Sequence, residues 1–129
     1  DIQSDYLDPI VDQLKLELGI VEQDIIRIPM LFEDVFQCAG TATLFPGTVN
    51  MVVATNEDGS ADLFMPDPFL RSSSSLSDQE SDPFIQYVND LLPENNTPHW
   101  LDDWEDYHLM LGEVHCGSNT RRSPGEPWY

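Results

Sequence analysis

Twice in this chain an aspartate followed by proline opens an apolar run at helical spacing, and each run leads on to a short extended segment. That alternation constrains the fold more than any other feature. Asp8-Pro9 combines an acidic cap with a proline in the first turn, where its missing N–H does no harm. Ile10, Val11, Leu14 and Leu18 then recur at helical spacing, and Gly19 suits the residue after a helix end. Residues 25–28 are short and β-branched, hence a predicted strand, which Pro29 ends. Asp82-Pro83 repeats the start signal, with Phe84, Val88, Leu91 and Leu92 as an apolar stripe and Pro93 as the stop. The stripe reads as core packing. Helix and strand in alternation predict an α/β protein.

Between these units the signals are mixed. Residues 30–36 admit a helical turn, but Gly40 and Pro46 limit any regular element there. Residues 49–55 read as a strand, with Asn56-Glu57-Asp58-Gly59 as its turn and Leu63-Phe64-Met65 as the returning arm of a hairpin. Pro66-Asp67-Pro68 closes that section. Residues 71–82, rich in serine and acid, are expected to form a mobile, disordered surface loop. Ser75 and Ser77 each have an acid three residues on, a spacing that an acid-directed kinase uses but that also arises by chance. His99-Trp100-Leu101 reads as a short strand, and a final strand is expected within residues 109–115. Asp102, Asp103, Glu105 and Asp106 lack the spacing of a calcium loop and read as solvated surface.

Charge narrows the partners. Five Lys and Arg against 24 Asp and Glu give a net charge of −19 over 129 residues. Nucleic acid and anionic membrane are therefore poor partners, whereas an arginine-rich protein would be attracted. Plain solubility accounts for the same charge equally well. The 40% hydrophobic content supports one domain with an ordinary core. Cys38 and Cys116 make no disulfide framework, although one bridge between them is chemically open. No apolar run nears the roughly 20 residues that cross a bilayer, and no signal-peptide pattern opens the chain, so a cytoplasmic location is expected. The chain starts without an initiator methionine and is expected to be a piece of a longer protein.

Cys116 is the residue with the most chemical potential. It follows a short apolar run and lies between Gly112 and Gly117, which permit close backbone approach, so its thiol is expected at the end of a strand. A thiolate there would be a strong nucleophile. A small buried hydrophobe is the alternative for such a cysteine. His115 beside it would point to the opposite face of a strand, which makes it structural or orienting.

The run Leu111-Gly112-Glu113-Val114-His115-Cys116-Gly117-Ser118-Asn119-Thr120-Arg121-Arg122 closely resembles the C-terminal signature of the peptidylarginine deiminases. Leu14-Lys15-Leu16-Glu17-Leu18-Gly19-Ile20, Asp24-Ile25-Ile26-Arg27-Ile28-Pro29 and Phe45-Pro46-Gly47-Thr48-Val49-Asn50-Met51 resemble segments of the same catalytic domain, in the same order. Asp102-Asp103-Trp104 and Tyr107-His108 resemble what precedes its cysteine. Most of the chain is covered, except about 56–80. The resemblance implies a partial α/β propeller: residues 1–129 would be the C-terminal portion of the pseudo-symmetric guanidine-modifying fold. It also implies hydrolysis of peptidyl-arginine to citrulline and ammonia, with Cys116 attacking, arginine-containing proteins as substrates, and control by calcium. The family's catalytic histidine, its two guanidinium-binding aspartates and its calcium ligands lie upstream of this segment, so the fragment alone is expected to be inactive. Met110-Leu111 stand where deiminases often carry a basic residue that holds the substrate backbone. Arg121 and Arg122 match a basic pair of the family. Three alternatives stay open: a non-catalytic acidic interaction module that keeps the fold, a metal site of His99, His108, His115 and Cys116, and a cysteine protease.

Overall fold

The computed structural model describes residues 2–35 and 40–119. Cys38, Arg121 and Arg122 lie outside them. Helices and strands mix in an α/β arrangement with two small open sheets.

Helix α1, Asp8–Leu18, ends as its sequence predicts. Gly19 takes the left-handed conformation at φ 68°, and its N–H closes on the Lys15 carbonyl at 3.0 Å. Its start differs, because a π-helical turn over Gln3–Leu7 runs straight into it and Leu7 is already helical. Asp8 therefore lies inside the helical run and caps nothing. The predicted apolar stripe faces outward, with Ile10 53% and Leu18 67% exposed. Residues 25–28 form no strand. β-branched residues favour extended backbone, but a strand needs a ladder partner, and no described segment pairs with them.

Strands β1, Phe32–Val35, and β2, Gly40–Thr43, pair antiparallel with Phe32 opposite Thr43. A ladder thus takes the place of the helical turn that residues 30–36 admitted. The second sheet has the order β3-β4-β5, built from Val52–Thr55, Ala61–Pro66 and Asn96–Leu101. β3 and β4 form the expected hairpin. Gly59 at φ 83° supplies the left-handed turn residue, and the Asn56 N–H bonds the Ser60 carbonyl at 2.8 Å. β4 and β5 are parallel, so helix α2, Pro83–Leu91, is the crossover between them. Asp82 caps α2 as predicted, its Oδ1 accepting from the Phe84 amide at 2.9 Å and the Ile85 amide at 3.3 Å. Leu63, Met65 and Val88 are the buried centre, with Ile28, Met51, Phe84, Leu92 and Trp100 packed around them.

The crossover also holds the serine-rich residues 71–82, where the sequence suggests a loop. The backbone there forms a 3-10 helix, Leu76–Ser81. Arg71 organises it. Its side chain is 1% exposed, with Nη1 2.7 Å from Asp67 Oδ1 and 3.4 Å from Asp82 Oδ2. Gln79 Nε2 adds bonds to Asp67 Oδ2 at 2.8 Å and the Trp100 carbonyl at 3.0 Å, tying the segment to the end of β5. Serine composition gives no hint of this anchor.

The strand expected within 109–115 is absent. The amides of Tyr107 and His108 close on the Asp103 carbonyl, that of Leu109 on Trp104, and that of Gly112 on Tyr107. These local bonds coil the chain into a 3-10 turn, His108–Met110, and Leu111 then reverses it at φ 63°. A single helical turn follows, α3, Val114–Gly117.

Candidate functional site

Cys116 sits on α3 and not at a strand end. Its thiol is free and exposed, so a wholly buried hydrophobe is excluded. Asn50, on the loop that enters β3, holds the turn from two sides. Its carbonyl accepts the His115 N–H at 3.2 Å, and its Nδ2 donates to Cys116 Sγ at 3.4 Å, with Oδ1 3.8 Å from the sulfur. A carboxamide thus meets the thiol with both a donor and an acceptor. Gly117 answers a different need: the Tyr107 ring occupies the space that a Cβ there would fill. At Gly112 a Cβ would meet only ordinary contacts, 3.7 Å from the Cys116 Cβ.

Beneath the turn lies a buried polar cluster. Glu113 is the residue before α3, and its side chain turns inward instead of capping the helix. Its Oε1 accepts from Thr43 Oγ1 of β2 at 3.2 Å and lies 3.0 Å from His108 Nδ1. Asp103 is 2% exposed and faces the same carboxyl. Neither oxygen of Asp103, nor Oε2 of Glu113, has a well-formed hydrogen bond in the structure. Two ionised carboxylates would stand there unpaired, whereas one shared proton makes them partners. Burial pushes the Asp103 carboxyl up to about 7, and the facing Glu113 carboxyl, as a partner for the proton and as a charge, pushes the same way. The backbone amides of Val114 and Asp103 pull the other way.

The family model for protein-arginine deiminase matches residues 2–129. The chain belongs to the protein-arginine deiminase family. Among similar proteins, protein-arginine deiminase type-3 of Rattus norvegicus is 38% identical over 112 residues, covering 86% of this chain and 15% of the relative. Type-1 of Mus musculus has the same identity and coverage. Type-4 of Rattus norvegicus is 35% identical over 130 residues, 95% of this chain and 18% of the relative. The chain therefore spans less than a fifth of the length of these relatives.

In this deiminase-family chain the three histidines part ways. His99 bonds Asp62 at 2.8 Å and stacks on Phe64, His108 faces Glu113, and His115 is exposed beside Cys116. No group of three or more metal-ligating side chains occurs among the described residues, so the four-residue metal site does not form there. Asp102, Glu105 and Asp106 are exposed, as their solvated-surface reading expects, but Asp103 is not. The reading of His115 rested on strand geometry, which the helical turn removes. Met110 is 79% exposed. Sequence reasoning gave no role to Asn50 or Thr43, because each meets the Cys116 turn only across a long stretch of chain, and it read Asp103 as solvated surface because four neighbouring acids look alike. Glu113 lay within the signature run, but its inward turn has no sequence signal.

A groove of about 1390 Å³ opens between α1, residues 25–30, the β1–β2 pair and this cluster. Val11, Ile28, Thr43, Asn50, His108 and Glu113 all contribute to its walls. No helix of the described residues is long and apolar enough to cross a membrane.

Proposed function

We propose that this chain is the C-terminal part of the catalytic domain of a longer protein-arginine deiminase, within a pseudo-symmetric α/β propeller, and that Cys116 is its nucleophile. The observation that carries the proposal is an exposed thiol on a turn pinned by Asn50, in a chain of the deiminase family. A guanidinium is a resonance-stabilised cation, so attack at its central carbon needs a compact, strong nucleophile. The thiolate forms a bond to that carbon, one C–N bond breaks, and the nitrogen leaves as ammonia after taking a proton. The resulting thiouronium is attacked by water, the C–S bond breaks, and peptidyl-citrulline and the thiolate are released. An adjacent guanidinium also favours the sulfur anion by ion pairing. The Asn50 carboxamide orients Sγ for this attack.

The carboxylates that grip the guanidinium and the histidine that moves protons belong to the upstream part of the parent, so the isolated chain is inactive on this reading. The same holds for calcium. The described residues do not fit it, since no three ligating side chains converge, and its ligands would lie upstream. Protein substrates carrying arginine are the partners, and the cytoplasm is the proposed location. Met110, exposed where deiminases often carry a basic residue, favours a second reading in which the fold is kept as an acidic interaction module.

Citrulline formation by the full-length parent, with and without calcium, tests the proposal. Turnover with calcium is expected, and Cys116→Ala lowers kcat on the order of 10⁴-fold or more while substrate binding survives. Undiminished turnover in that variant refutes the nucleophile, and no turnover in the wild type favours the interaction module.

A further inference from the structure

The carboxyl cluster under α3 has no part in the scheme above, yet it is the most confined titratable group near Cys116. Asp103 and Glu113 come from opposite ends of a coiled segment, and Glu113 is the residue from which α3 starts. The Gly117 amide closes that turn on the Glu113 carbonyl at 3.1 Å. Whatever fixes Glu113 therefore fixes the first residue of the turn that aims the thiol. On one side Thr43 Oγ1 and His108 Nδ1 hold Oε1, while Oε2 and both oxygens of the facing Asp103 are buried without a well-formed hydrogen bond. A bound cation would need a third ligand, and no such group exists among the described residues. A proton needs only two oxygens.

We propose that Asp103 and Glu113 are positioning residues for the deiminase reaction: one proton shared between their buried carboxyls clamps the start of the turn that carries Cys116. This rests on the reading of Cys116 as nucleophile. The titratable group facing the pair is His108, on the same coiled segment. β2 brings the uncharged Thr43 hydroxyl, the following loop brings the Gly47 backbone, and His115 and Cys116 on α3 are exposed. Loss of the proton leaves two like charges in contact, with Thr43 and His108 holding only Oε1 of Glu113, and the clamp opens. With the Asp103 carboxyl pushed up to about 7, this happens near neutral pH.

The test uses the full-length parent, with kcat and KM followed from pH 6 to 8.5. Asp103→Ala is expected to lower kcat at least about 10-fold with KM within about 3-fold, because it removes aim and not binding. Asp103→Asn supplies a permanent donor in the same shape. It should recover most of that loss, and its ratio to wild type should rise as pH passes 7. An asparagine variant as impaired as the alanine one, or one whose pH profile runs parallel to wild type, overturns the proposal. Should the wild-type parent form no citrulline, the deiminase reading fails separately. The clamp is then judged by iodoacetamide alkylation of Cys116, followed on its own peptide. The wild-type to Asp103→Asn rate ratio should change at least about 3-fold across that pH range, and a constant ratio refutes the clamp.

Discussion

At position 103 a carboxyl is buried while the acids at 102, 105 and 106 remain in solvent. Four acids in five residues look alike in sequence, and only their neighbours in space separate them. The difference has a measurable consequence for stability. Asp103 titrates at about 7 in the folded chain against 3.8 in the open. Its folded value is raised, so its contribution is complete below about pH 4 and is lost as pH climbs towards 7. The loss amounts to as much as roughly 4 kcal/mol, from 1.36 kcal/mol per unit. Asp103→Asn removes this linkage. Melting curves between pH 4.5 and 8 should therefore show wild type losing stability with rising pH and the variant losing much less. Parallel curves would place the proton elsewhere.

Among the elements, the crossover from β4 through α2 to β5 depends on one acid with two duties. Asp82 caps α2 through two amides and also faces the buried Arg71, which Asp67 holds from the other side. Removing Asp82 strips the cap and leaves Arg71 short of one counter-charge. Asp82→Ala is expected to cost about 3–5 kcal/mol, the range for breaking a buried charge pair. Asp82→Ser should cost less, because serine also caps helices. Urea unfolding gives the two values, and faster hydrogen exchange at the Phe84 and Ile85 amides would locate the damage at the cap. Equal costs for alanine and serine would mean that the charge with Arg71 dominates.

For the whole molecule, the core is small and gathered on one sheet: Leu63, Met65 and Val88 are buried, and Met65 and Val88 are wholly so. Met65→Ala is expected to cost about 2–5 kcal/mol, by lost transfer free energy and the cavity left behind. The urea midpoint should move accordingly, and an unchanged midpoint would show that the sheet does not depend on this packing. α1 lies outside that core, with its apolar face open. Local chemistry alone determined the C-terminal end of α1, both ends of α2 and the Asn56–Gly59 turn, because caps, glycines and prolines act within a few residues. The signature around Cys116 was equally legible. Pairing and burial were not, since both depend on which distant segment arrives opposite. Residues 25–28 have strand chemistry but no partner, and the apolar run at 109–111 coils because its amides find carbonyls nearby. Arg71 became an anchor only when Asp67 and Asp82 converged on it. Likewise, Asn50 reached the thiol and Asp103 met Glu113 through contacts that only the folded chain creates.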